Sequence, residues 1–128
     1  MLSCTTNDIT VQVETEFEPR YSVPNSTEYL FAYRITILNK SPYTVQLLRR
    51  HWFIHDGLGR SREVEGEGVI GEQPIIAPNE SHQYISFCNL KTPIGHMRGN
   101  FTLLREIDGE TFAVEIPGFT MLAPVLQN

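Results

Sequence analysis

Residues 29–38 read Y-L-F-A-Y-R-I-T-I-L, and their order decides the fold. Tyr29, Phe31, Tyr33, Ile35 and Ile37 occupy every second position, with Arg34 and Thr36 among the residues between them. Side chains of an extended chain point to opposite faces in turn, so a period of two specifies a strand with one buried face. A helix needs its apolar residues three and four apart, and the β-branched and aromatic density also favours a strand. Upstream, residues 9–17 repeat the pattern. Ile9, Val11, Val13 and Phe17 share one face, and Thr10, Gln12, Glu14 and Glu16 the other. Downstream, strands are predicted over 45–54, 62–65, 83–87, 97–107 and 111–116. Turn chemistry separates them at Asn39-Lys40-Ser41-Pro42, Asp56-Gly57-Leu58-Gly59 and Pro78-Asn79-Glu80. Asp108-Gly109 predicts a two-residue type I′ hairpin between the last two long strands. Seven or eight strands without a helix define an all-β chain, an antiparallel β-sandwich of immunoglobulin or fibronectin type III character.

A chain of 128 residues fits one domain, with its core expected over about 9–124. Its apolar fraction of 41% and charged fraction of 20% are those of a soluble globular protein. No run approaches the roughly 20 apolar residues of a membrane span. The N-terminal M-L-S-C-T-T-N-D lacks the apolar segment of an export signal, so a cytoplasmic location is expected. Cys4 and Cys88 are isolated, without the spacing of a structural zinc site or a disulfide framework. A net charge of −5 argues against nucleic acid as a partner, because neutralising phosphates dominates such binding.

Three stretches invite a functional reading. Gly66, Gly68 and Gly71 have the G-x-G-x-x-G spacing of a dinucleotide cradle. That cradle needs a helix after the glycines, whose N-terminus holds the pyrophosphate. Here Pro74 and Pro78 forbid one, and the P-loop lysine position holds Glu72. Backbone geometry is the economical reading of this glycine loop. The sharper one is a divalent cation at Glu65, Glu67 and Glu72, hard oxygen donors of the kind magnesium or calcium accepts. The second stretch is residues 47–56, L-L-R-R-H-W-F-I-H-D. As a strand it puts Leu48, Arg50, Trp52 and Ile54 on one face, and Leu47, Arg49, His51, Phe53 and His55 on the other. Trp52 reads as core. Arg50 on the same face calls for a partner such as Glu63 or Glu65, or for a route to the sheet edge. Arg49 and Arg50 are candidate contacts for an anion, whereas His51 and His55, about 13 Å apart on a strand, cannot chelate one metal. The third stretch is the proline-framed run 116–126, expected as an edge segment without regular central pairing. Its Phe119, Met121 and Leu122 form a candidate partner surface for another protein or a second copy of the chain. No nucleophile with a partnered base is evident, and no enzymatic activity or cofactor is expected.

Taken together, Arg50-His51-Trp52, the run 64–71 with Pro74, Ile76-Ala77-Pro78, Tyr84 with Ser86, residues 92–99, Ile116-Pro117-Gly118-Phe119 and Leu122-Ala123-Pro124 resemble the ApaG family, also called CorD. The resemblance spans about 9–124. It implies a fibronectin type III-like sandwich and a bacterial protein linked to cobalt resistance and magnesium efflux. Similar domains appended to a eukaryotic F-box protein and a polymerase-interacting protein imply a protein-binding module. His51 departs from the tyrosine usual in that family. The expectation is therefore a non-enzymatic interaction module, possible as a homodimer. The alternative is a small-ligand site for a cation at the acidic glycine loop or a phosphate compound at Arg49 and Arg50.

Overall fold

The computed structural model describes residues 1–19, 28–57 and 59–124; Leu58 of the predicted turn and Val125 and Leu126 of the C-terminal run lie outside them. Nine strands follow in order: β1 Leu2–Thr6, β2 Ile9–Phe17, β3 Tyr29–Asn39, β4 Val45–Asp56, β5 Arg60–Glu67, β6 Ile75–Ile76, β7 Ser81–Leu90, β8 Ile94–Arg105 and β9 Thr111–Leu122. They make two antiparallel sheets, ordered β1-β2-β3-β7 and β5-β4-β8-β9, with β6 paired to β4 beyond the end of β5. Among the described residues no helix is long and apolar enough to cross a membrane.

Alternation places the core where period two expects it. Ile9, Val11 and Val13 of β2 and Phe31, Tyr33, Ile35 and Ile37 of β3 are buried against Trp52, Phe101, Leu103 and Val114 of the other sheet. Trp52 meets Tyr33 and Phe119 edge to face, with centroids 5.4 and 6.1 Å apart. Burying side chains of this size contributes about 1.5–3 kcal/mol each.

Four local expectations change. Residues 2–6, ahead of the first predicted strand, form β1, which turns into β2 through Asn7 and Asp8, both at positive φ (49° and 64°). The single-period reading of residues 47–56 fails at Leu48. There the pairing with β8 slips between Leu47 and Arg49, so Leu47, not Leu48, joins the core ahead of Trp52 and Ile54. This bulge adds one residue and flips the alternation. Asp108-Gly109 is not a two-residue hairpin. Four residues, 106–109, make the connection, with Arg105 N donating to Glu110 O and Gly109 N to Arg105 O. Only Gly109 of that pair has positive φ, and a type I′ turn needs two. Finally, residues 116–122 lie at a sheet edge as expected but form paired strand there, in β9. The register slip between Met97 and Gly99 falls opposite Pro117 and absorbs it.

The sandwich has a closed side and an open side. β1 packs beside β9, and Glu115 N donates to Thr6 Oγ1 at 3.3 Å. On the opposite side β5 and β7 are the sheet edges. Arg62 bridges them, donating from Nη2 to Asn89 O at 2.8 Å and to Cys88 Sγ at 3.6 Å.

Candidate functional site

Arg50 points between the sheets, as the alternation after the bulge requires. It makes no ion pair with Glu63 or Glu65. Nη1 instead donates to the carbonyls of Glu67 and Gly68, both at 3.0 Å. Gly66, opposite Arg50 in the β4–β5 register, makes this possible, since a Cβ there would lie 2.8 Å from the guanidinium. Gly68 has φ +65°, and a side chain on it would press into the Glu72 carbonyl. Val69 and Glu72 exchange both main-chain hydrogen bonds, at 2.7 and 3.0 Å. Ile70 and Gly71 between them have φ of 47° and 74°, which makes a two-residue type I′ turn. Gly68 N donates to Leu48 O. The amides of Gly68, Val69 and Glu72 are thus spent within the fold, and the glycines serve to seat an arginine and close a hairpin.

Arg49 is separated from Arg50 by the pleat and lies on the outer face of its sheet. Its Nη2 is 3.9 Å from Glu65. On the same face His51 Nε2 lies 3.0 Å from Glu63 and 3.2 Å from Glu65. His51 stacks on Phe53, which Arg98 covers in turn. Sequence reasoning grouped Glu65 with Glu67 and Glu72. Among the described residues the His, Cys, Asp and Glu side chains whose ligand atoms converge are His51, Glu63 and Glu65 instead, with both carboxylates exposed. The signal was available, because paired β-strands bring His51 opposite Glu65 with Glu63 two residues along.

The expected partner surface at the C-terminus is mostly interior. Phe119 and Met121 are buried and only Leu122 reaches solvent, because β9 alternates like the other strands, with Val114 and Ile116 inward before the register slip and Phe119 and Met121 inward after it. Exposed apolar side chains occur instead on β7, where Ile85 and Phe87 are 49% and 56% exposed. They share a shallow recess with Glu14, Glu16, Ala32 and Arg34.

Behind β7 the inward side chains are unusually polar. Tyr33 shares a hydrogen bond with Ser86, and burial pushes its phenol above the ordinary range. Tyr84 is pushed higher still by burial and by Tyr33, with Arg50 pulling in the opposite sense. Cys88 is also raised, chiefly by burial and against the pull of Arg62, which keeps its thiol protonated and inert. The Tyr84 hydroxyl finds no hydrogen-bond partner among the described residues.

Two packed antiparallel sheets of fibronectin type, with an arginine latched by a glycine loop between them, define a small all-β domain. The chain belongs to the ApaG family, whose ApaG domain model matches residues 19–105. It is 46% identical to protein ApaG of Afipia carboxidovorans over 128 residues, covering 100% of this chain and 98% of that one. Protein ApaG of Pseudomonas paraeruginosa is 44% identical over 123 residues, covering 96% and 97%. The crystal structure described as the ApaA protein from Bordetella pertussis matches with a TM-score of 0.87 at 43% identity, covering 91% of this chain and 94% of that one.

Proposed function

We propose that the protein is a non-enzymatic interaction module that takes an extended segment of another protein onto the free edge of β7. One observation carries the reading. β7 is a ten-residue edge strand, S-H-Q-Y-I-S-F-C-N-L, without lysine, carboxylate, proline or register slip. Natural sheets blunt such edges, because unpaired main-chain groups are a template for another strand. The other edges are managed: β5 carries Arg60, Arg62, Glu63, Glu65 and Glu67, and β1 lies against β9. In an antiparallel ladder the residues alternate between facing the partner strand and facing away. Asn89 O is taken by Arg62 outside the β3 ladder, so Ser81, Gln83, Ile85 and Phe87 share its outward orientation. Their side chains project on the exposed face, where Ile85 and Phe87 offer apolar contact beside Glu14 and Glu16. A segment alternating apolar and basic residues complements that surface.

Selection from a displayed library of random decapeptides tests this. The expected winners alternate apolar with Lys or Arg, and they lose binding to Ile85→Pro. Proline there removes an edge N–H while sparing the β3 ladder. Winners that bind Ile85→Pro as well as the parent, or no winners at all, would overturn strand addition. Sedimentation checks the other occupant: concentration-dependent dimerisation abolished by Ile85→Pro would assign the edge to a second copy instead.

A further inference from the structure

Between the edges of β5 and β7 two recesses of about 330 and 260 Å3 adjoin, both lined by Tyr33, Arg50 and Ser86. Arg62 lines the first, and Tyr84 and Gly71 line the second. Arg50 is tied to two carbonyls and Arg62 to a carbonyl and a thiol. Neither guanidinium makes an ion pair with a carboxylate among the described residues, so two uncancelled positive charges flank one cleft in a chain of net charge −5. Tyr84 is only 9% exposed, and its hydroxyl lacks a partner among the described residues. Buried polar groups are almost always hydrogen-bonded, and an exception in a native fold calls for a reason. Burial also keeps this phenol protonated far above neutral pH, so it is available as a donor.

We propose that the cleft binds a small oxyanion, the phosphate or carboxylate group of a ligand, held by Arg50 and hydrogen-bonded by the Tyr84 hydroxyl. The seat differs from the nucleotide cradle that the glycine spacing suggests, because the amides of Gly68, Val69 and Glu72 are engaged within the fold and the donors here are side chains. Arg50 is pre-organised: the Glu67 and Gly68 carbonyls fix its plane, and Gly66 leaves the space its guanidinium fills. Arg62 adds a second positive charge at the rim. The Glu67 side chain also lines the second recess and opposes an anion there, which favours entry from the Arg62 end. The site faces inward from β7 and does not depend on strand addition along its edge.

Calorimetric titration with inorganic phosphate and with acetate, against chloride at matched ionic strength, tests it directly. Saturable one-to-one binding of at least one of them is expected, with amide shifts in a nitrogen–proton spectrum centred on Arg50, Arg62, Tyr84 and Ser86. Tyr84→Phe removes only the hydroxyl and should weaken binding about tenfold, the effect of one hydrogen bond to a charged group. Arg62→Gln, altered at the rim, should weaken it while the protein stays folded. No saturable binding of either anion to the parent protein would overturn the proposal. So would shifts centred elsewhere, or a Tyr84→Phe protein that binds as tightly as the parent.

Discussion

Ile70 sits at φ +47°, 62% exposed, at the first central position of its turn. A β-branched side chain is disfavoured there, and such backbone strain costs about 1–3 kcal/mol. Ile70→Asn would give the Asn-Gly pair that type I′ turns prefer and would remove no core contact. Its urea midpoint should rise, by about 1 kcal/mol of stability. Residue by residue, the sequence made the glycines conspicuous but not their separate tasks. Gly66 answers to a side chain on the neighbouring strand, Gly68 to a carbonyl four residues on, and Gly71 to a turn. Arg50 was legible as an anomaly among apolar neighbours. Its partners were not, because they are main-chain carbonyls, which no residue type announces.

Elements were legible wherever a strand buries one face along its whole length. β2 and β3 pair over nine residues without a slip, and their alternation can be followed directly in the sequence. Where a strand slips, sequence alone misleads. Leu47-Leu48 offers two equivalent leucines, and only the partner strand decides which one is the extra residue. β1 escaped because its face is half covered and its residues are mostly Ser, Thr and Cys. Gly99 marks the tightest approach in the second sheet. It lies opposite Trp52, and a Cβ would strike the His51 carbonyl and crowd the Trp52 Cα. Backbone on a central strand pair cannot yield as a flexible side chain can. Gly99→Ala should therefore cost about 2 kcal/mol or more, seen as a lowered thermal midpoint with an unchanged far-ultraviolet spectrum.

At the scale of the whole molecule, the two sheets enclose three weak acids that fold in their neutral forms. Tyr33, Tyr84 and Cys88 all have their pKa raised from ordinary values of 10.0, 10.0 and 9.0, by burial above all. The unfolded chain releases these protons at the ordinary values, whereas the folded chain holds them to higher pH. The unfolded state therefore binds fewer protons above about pH 9, and stability falls as pH rises. The three contributions are complete below the ordinary values and are lost as pH climbs towards the folded ones. Denaturation measured between pH 7 and pH 11 should show a decline that begins near pH 9 and steepens past 10. Tyr84→Phe should flatten the steeper part, because one of the two phenols no longer titrates. A stability that stayed level through that window would contradict the burial of these groups.

The packing of β1 beside β9 also fixes where the first strand begins relative to the end of the last one. Met1 and Leu2 line one recess together with Phe119 and Thr120, on the side of the sandwich away from the cleft between β5 and β7. A short linker can join the first strand to the last there, and the four-residue connection 106–109 between β8 and β9 can be cut without breaking a ladder between strands. The fold is in this sense a ring in which the order of synthesis is arbitrary. A circular permutant that starts at Glu110 keeps every strand pair, and its edge and cleft stay clear of both new ends.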